Sequence, residues 1–367
     1  MTPITIEAIR TKGIVTGKGR ADSWFQMEYG INPYQGCEHN CLYCDGKADY
    51  YRMHKDFGRR IKYKANAIKL LRRFFRKKGL VSSKAPKITD FLDDTGSVSS
   101  QAIPKFLMGI GGGVCDVYQP VEKEIKLTQR ILELCLEYGV PAFLLTKNAD
   151  VIKRDIPLLC EINERAFVRV GFSVTLADPN IQKIFEPYSS TTESRFKLMK
   201  ELNRQGIETG GIFLPIIPLI GDSEENIKAI VHQAKQAKAK FLLHGSMTLK
   251  PGHKENFLQV IAEKFPELHA AYELMYEKSF SPDPRFYHFP NLRTHELCKE
   301  YGVPEWIPRY IPEGRIAENL LGAAHLWEIS YMYHWHGDRN SGVFSKAGHY
   351  INDLNQPWNS ISRLPLR

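Results

Sequence analysis

The sequence predicts an α/β fold, a partial (β/α)6 TIM-like barrel followed by a mostly helical C-terminal extension, and three observations carry that prediction. Between residues 24 and 249, short β-type runs alternate with helical runs, the pattern of βα units on a parallel sheet. Six such units can be read, short of the eight that close a barrel. After about Pro251 the alternation stops, and aromatic, His and Pro residues accumulate in stretches such as FYHFPNLRTHELC and ISYMYHWHGD. With no flexible linker at that point, residues 1–250 are expected to form a barrel core with an N-terminal lead-in. Residues 251–367 are expected to form a helical and loop-rich extension packed on it.

The elements follow in order. The first strand is expected within 24–31 and the first helix over 64–78, where Ile68, Leu71 and Phe75 form an apolar stripe. The second strand is KFLMGI at 105–110; its helix spans 121–138 with Ile125, Leu132 and Cys135 on one side. A strand at 142–145 and a helix at 155–163 come next, then the strand FVRVGFSV at 167–174. A Ser/Thr-rich stretch suited to helix starts opens the helix at 191–205. The strand at 207–214, a helix at 223–237 capped by Ser223, and a strand at 241–245 complete the series. In parallel α/β folds the functional groups gather in the loops after the strands.

Composition narrows the function classes. The chain has 367 residues, 43% hydrophobic and 25% charged, as in an ordinary globular protein. Seven cysteines, three of them within residues 37–44, do not form the even framework of a secreted disulfide protein. A reduced, cytoplasmic setting is expected. The N-terminus carries no apolar signal-peptide core, and the longest apolar run, 212–220, is interrupted by Pro215 and Pro218. It is too short to span a bilayer, so no membrane association is expected.

The chemistry concentrates after the first strand. Asn32-Pro-Tyr-Gln-Gly-Cys37-Glu-His-Asn-Cys41-Leu-Tyr-Cys44 is C-x3-C-x2-C. Three thiolates on one short loop suit a soft metal centre. Zinc would need a fourth ligand, which His39 or His54 would have to supply. An iron–sulfur cluster is the alternative; three cysteines on a four-iron cluster leave one iron open, the mark of a catalytic site.

This spacing, with an aromatic residue before the last cysteine, resembles the signature of radical S-adenosylmethionine (SAM) enzymes. The longer string NPYQGCEHNCLYC is similar to the branch related to spore photoproduct lyase. So are Asp116-Val-Tyr-Gln-Pro-Val-Glu122 and the pairing of Leu145-Thr-Lys147-Asn with Arg154-Asp155. The resemblance covers about residues 24–250 and implies the radical SAM type of partial barrel. It further implies a [4Fe-4S] cluster on Cys37, Cys41 and Cys44, S-adenosyl-L-methionine on the open iron, and a 5′-deoxyadenosyl radical that abstracts hydrogen from a substrate. DNA repair of the spore photoproduct lyase type is the implied reaction; modification of RNA, a protein or a metabolite is the alternative. A zinc-bound nucleic-acid-binding protein is the non-enzyme alternative. A flavodoxin- or ferredoxin-like donor would supply the electron.

The resemblance also implies roles for residues after later strands. Gly111, Gly112 and Gly113 follow the second strand, where glycines permit close approach to the methionine part of the cofactor. Lys147 and Ser173 follow the third and fourth strands and would contact its carboxylate and ribose. Cys115 lies near the loop position from which the spore enzyme donates a hydrogen atom. Asp45-Gly46 follows Cys44 where the branch often has an aromatic; Tyr50 and Tyr51 stand a few residues on. Cys135, Cys160 and Cys298 are expected in the core.

The net charge of +9 is a local property: residues 52–78 hold twelve Lys or Arg and one acid, Asp56. The segment reads as a phosphate-tracking nucleic-acid surface or as the solvated outer face of a barrel helix. In the tail, Tyr331-Met-Tyr-His334-Trp-His336-Gly-Asp338 is expected to pack rather than bind metal.

Overall fold

The computed structural model describes residues 3–84, 104–111 and 113–361. The lead-in carries β1 (Thr5–Ile9) and β2 (Val15–Thr16), and β3 (Tyr29–Ile31) begins the barrel. β4 (Tyr34–Gln35), β5 (Arg60–Lys64) and α1 (Ala67–Lys77) precede β6 (Met108–Ile110). Then come α2 (Glu122–Ile125), α3 (Leu127–Tyr138), β7 (Ala142–Thr146), α4 (Ile156–Arg165) and β8 (Val168–Ser173). α5 (Pro179–Phe185), α6 (Thr192–Arg204), β9 (Glu208–Ile216), α7 (Glu224–Gln236) and β10 (Leu242–Ser246) complete the alternation. The extension is helical: α8 (Lys254–Lys264), α9 (His269–Met275), α10 (Pro284–Tyr301), α11 (Ala317–Trp335) and α12 (Ser341–Asn352).

The larger sheet runs β10-β9-β8-β7-β6-β3-β2. Every neighbouring pair from β3 to β10 in that order is parallel, and only β2 is antiparallel to its neighbour, β3. The six parallel strands are the partial (β/α)6 barrel. Their outward side chains, among them Met108, Leu144, Val170 and Phe172, are buried with Leu71, Ile131, Leu159 and Leu202 of the helices. Two of those helices begin on the expected caps: Thr191 accepts from Ser194 N and Ser223 from Asn226 N, 3.2 Å each, worth about 1 kcal/mol apiece.

Two buried arginines at the barrel floor each have a carboxylate partner. Arg169 forms an ion pair with Glu208 across the β8–β9 register and sits 5.5 and 5.1 Å from the rings of Phe143 and Phe167. Arg309 meets Glu28 at 2.7 Å. Arg309 comes from a strap after α10 that covers the open edge of the barrel. Pro304 O accepts from Leu242 N of β10, Pro308 O from Arg169, and Ile307 O from the Gln26 amide. α10 itself packs on α7 and β10, where a sixth barrel helix would lie.

Local chemistry explains the departures from the sequence reading. The first strand is confined to 29–31 because the Asp22 carboxylate gathers the N–H groups of Trp24, Phe25 and Met27, and Gln26 takes φ 58°. The helix expected at 121–138 breaks at Lys126 (φ 52°), where the buried Glu122 carboxylate accepts from the N–H of Leu127, Thr128 and Gln129 and caps α3 from within. Part of the basic segment is a strand, β5, between β1 and β4 in a small second sheet. Cys135 and Cys298 are buried, whereas Cys160 is half-buried beside the Gln205 side chain. Among the described residues no helix is long and apolar enough to cross a membrane.

Candidate active site

The cysteine loop hangs from the end of β3 and is fixed from four directions. Gly36 turns it with φ +83°; a Cβ there would stand 2.4 Å from Arg60 O. Cys37 N donates to Phe57 O, Leu42 N to Phe185 O at 2.8 Å, and Cys44 N to Cys41 O. The fourth brace is the 116–122 stretch. Gln119 accepts from Glu38 N at 2.9 Å and donates to Gly36 O at 3.2 Å, while Val121 N donates to the Glu38 carboxylate. Tyr34 donates to Glu122, which pairs with Arg154 at 3.0 Å, and Arg154 also holds Asp155. The motif residues around the cysteines therefore act as a brace that sets the loop.

Cys37, Cys41, Cys44 and Cys115 are all unpaired and line one cavity of about 320 Å³ at the C-terminal ends of the strands. Burial pushes the Cys37 thiol well above its ordinary range and the Cys41 thiol up to about 12; Cys44 is raised too. Metal binding would have to displace these protons, and its free energy would then fix the loop. Among the described residues no three His, Cys, Asp or Glu side chains gather round one point as a single ion requires. Three cysteines of one loop that line one cavity supply three thiolate ligands to an iron–sulfur cluster, one short of the closed four-ligand shell of a structural zinc ion. Neither histidine closes such a shell. His39 Nε2 faces Asp116 at 3.2 Å and its Nδ1 meets Tyr188 O, while His54 lies exposed beside Asp56 and Arg60.

Across the cavity stand the ends of β7 and β8. Lys147 Nζ lies 5.5 Å over the Tyr43 ring, with no acceptor in hydrogen-bond reach among the described residues. Ser173 lines the same wall, its peptide oxygen held by Arg195 at 2.8 Å. Asp116 ties the β6 loop to this wall, accepting from Thr146 Oγ1 at 2.8 Å and Lys147 N at 2.6 Å. Its burial would raise it, but His39 and the N–H groups of Lys147 and Tyr118 hold it below the usual carboxylate range. Glu186 forms a buried ion pair with Arg195 and accepts from Tyr43.

The three glycines separate. Gly113 lines the cavity with no atom within 4 Å of where a Cβ would stand. Gly111 does not line it: its φ of +78° and its closeness to Val117 make it a turn residue. Gly112 lies outside the described residues. Cys115 is buried between the cysteine loop and Asn32, its thiol pushed up to about 12 by burial and then by Cys44. The aromatic pair beyond the loop is at the rim: Lys250, bound to Asp45, lies 5.8 Å from the ring of Tyr50 and 5.3 Å from that of Tyr51. α1 carries its exposed cations on the outer ring; Arg72 pairs with Glu137, and Arg60 with Glu7.

Sequence reasoning missed the pairs His39–Asp116, Glu186–Arg195 and Asp45–Lys250. His39–Asp116 and Asp45–Lys250 join segments far apart in the chain, and Glu186–Arg195 closes the turn between α5 and α6, where no motif marks it.

The comparisons with known proteins bear on the family and the fold. The family model described as Radical SAM superfamily matches residues 31–234. An uncharacterized Mycobacterium tuberculosis protein, Rv2578c, is 23% identical over 279 residues, 75% of each chain. An uncharacterized Methanocaldococcus jannaschii protein, MJ0683, is 25% identical over 254 residues, 69% of this chain and 81% of the other. Among solved structures, spore photoproduct lyase complexed with dinucleoside spore photoproduct matches with a TM-score of 0.53 and 13% identity, covering 81% of this chain and 79% of that one. A variant of that enzyme with bound AdoMet and the same dinucleoside matches with a TM-score of 0.51 and 13% identity, over 84% and 82% of the two chains. At that identity the likeness is one of fold.

Proposed function

This chain belongs to the radical SAM superfamily and is a radical SAM enzyme, and from that premise we propose that Cys37, Cys41 and Cys44 hold a [4Fe-4S] cluster beside a SAM-binding cavity. The observation that carries the reading is that one cavity is lined by three cysteines outside any disulfide, Cys37 and Cys41 buried and Cys44 half-buried, together with Lys147 and Ser173. When bound, such a cluster and SAM supply reductive cleavage of the sulfonium to a 5′-deoxyadenosyl radical.

The protein's part is binding, orientation and exclusion of water. Lys147, a cation whose Nζ has no acceptor among the described residues, takes the cofactor carboxylate. Ser173 offers a hydroxyl that donates and accepts, which suits a ribose. Gly113 lets the backbone approach the methionine part, and Gly111 sets the turn that places it. The Tyr43–Glu186–Arg195 set fixes the cavity wall under Lys147. Cys115, held as a thiol at the cavity edge, is the hydrogen-atom donor in this reading. A flavodoxin- or ferredoxin-like protein delivers the electron.

For the substrate, repair of a DNA lesion is the finer reading. Tyr50, Tyr51 and Lys250 at the rim support it, because rings among cations suit unpaired bases. Against it, the cations of α1 lie on the outer ring of the barrel. Reaction with a defined thymine-lesion oligonucleotide tests it: product formation that tracks SAM cleavage supports repair, and cleavage with the lesion unchanged excludes it.

A further inference from the structure

A second cavity, of about 500 Å³, abuts the first. The two share Ser246, Met247 and Thr248, the carboxyl end of β10. Its other walls come from the lead-in and the extension: Trp24, the loop after α9, the start of α10, and the end of α11.

Its lining is aromatic and already ordered. Trp24 meets Tyr331 edge to face at 4.4 Å, and Tyr331 meets Trp335 at 5.0 Å. Tyr287 and His334 stack at 6.1 Å with their planes 13° apart. Tyr331 is pinned through its hydroxyl to His244 O at 2.6 Å. Trp24 keeps 39% of its surface exposed, and Leu274 at the rim keeps 64%. Such faces bind rings by burial and by offset or edge-to-face stacking. The hydroxyl on the shared wall is available: Ser246 Oγ accepts from Asn291 Nδ2 at 3.1 Å, and no described residue takes its proton. Asn291 is locked in that orientation by His244 and Tyr287 O.

The charges give the class of ligand. Glu277, Lys278, Asp283 and Arg285 line the cavity and cancel, and Arg285 is already bound to Asp283 at 2.9 Å. A polyanion would find no net attraction here. The volume falls within the ordinary range of small-ligand sites.

We propose that this cavity, formed between the barrel and its C-terminal extension, is the substrate pocket and takes an uncharged aromatic ring whose edge accepts a hydrogen bond from Ser246. The inference rests on the radical SAM reading, since a group reaching past Ser246 and Met247 enters the cofactor cavity, and it sets a ring-bearing small molecule or polypeptide against the DNA lesion as the substrate. The ring is free in a small molecule or carried on a polypeptide.

Equilibrium dialysis of the cluster-loaded protein tests this with three probes: p-cresol, the capped peptide acetyl-Gly-Tyr-Gly-amide, and oligothymidylate. At least one ring probe is expected to saturate, and the tighter of the two identifies the source. Trp24→Ala should weaken that binding at least tenfold in protein that still unfolds cooperatively in urea. If Trp24→Ala does not fold, Ser281→Trp, which fills the rim and removes nothing, should block binding. Three results overturn the proposal: neither ring probe saturates, both variants bind as the parent does, or oligothymidylate displaces the ring with strong salt dependence. Missing iron or missing 5′-deoxyadenosine refutes the cluster reading instead and leaves ring binding measurable. Intact iron and SAM cleavage with no ring binding refutes this inference alone.

Discussion

Replacing Arg195 by methionine would strip the barrel mouth of a guanidinium that reaches the peptide oxygens of Lys147, Ser173 and Ser190, the Ser189 hydroxyl and the Glu186 carboxylate. Both side chains of the Arg195–Glu186 pair are 0% exposed. Burial pushes the Glu186 carboxyl up, but Arg195 and then Lys147 overcome it and bring it from 4.5 down to about 2. At about 1.4 kcal/mol per pH unit, that displacement corresponds to about 3 kcal/mol of stability at neutral pH. The folded value lies below the unfolded one, so this stability is complete above about 4.5 and is lost as pH falls toward about 2. Arg195→Met leaves the carboxylate buried without its partner, a loss of about 3–5 kcal/mol. In that variant the carboxyl rises above its ordinary value, so the gap to the parent should narrow between pH 7 and pH 5. Glu186→Gln combined with Arg195→Met removes both charges and should cost less than Arg195→Met alone. Urea unfolding followed by tryptophan fluorescence measures all three proteins. A loss under about 1 kcal/mol, the worth of a surface pair, would refute the reasoning; so would a gap that widens in acid, or a double variant that loses more than Arg195→Met alone.

The remaining predictions concern the cofactor side of the cavity. Lys147→Met should weaken SAM binding about tenfold to a hundredfold, since a hydrogen bond to a charged group is worth about 1.5–3 kcal/mol; equilibrium dialysis showing less than a threefold change would remove Lys147 from the site. Gly111→Ala should destabilise the fold by roughly 1–3 kcal/mol, because the residue sits at φ +78° with Val117 2.6 Å from the added carbon. Gly113→Ala, with open space around it, should stay within about 0.5 kcal/mol of the parent in urea yet lose SAM affinity; the reverse pattern would exchange their roles. Cys115→Ala should keep iron and 5′-deoxyadenosine formation while lowering product per SAM cleaved, and an unchanged product yield would end the donor assignment.

The barrel was legible because its strands and helices alternate with short-range signals: apolar runs such as 167–174, and caps such as Thr191 and Ser223. The cysteine loop was legible because all three thiols fall on one short segment. What was not legible depends on side-chain and strand pairings that no periodicity or motif marks. β1 pairs with β5 across the whole cysteine loop, and nothing in the basic segment marks 60–64 as a strand. Lys126 breaks a helix that periodicity reads as continuous because Glu122 folds back beneath it. Asp116 owes its partner His39 to the closing of the barrel, and Glu186 meets Arg195 across the turn between α5 and α6. The tail read as packing aromatics, and only the fold sets Trp24 beside Tyr331 at the edge of a second cavity.

The most direct test of the central claim is anaerobic reduction of the reconstituted protein with SAM. Iron and sulfide in equal amounts, and 5′-deoxyadenosine released on reduction, are the predicted result, with both lost when Cys37, Cys41 and Cys44 are changed to Ala. Stoichiometric zinc with no 5′-deoxyadenosine would contradict the account.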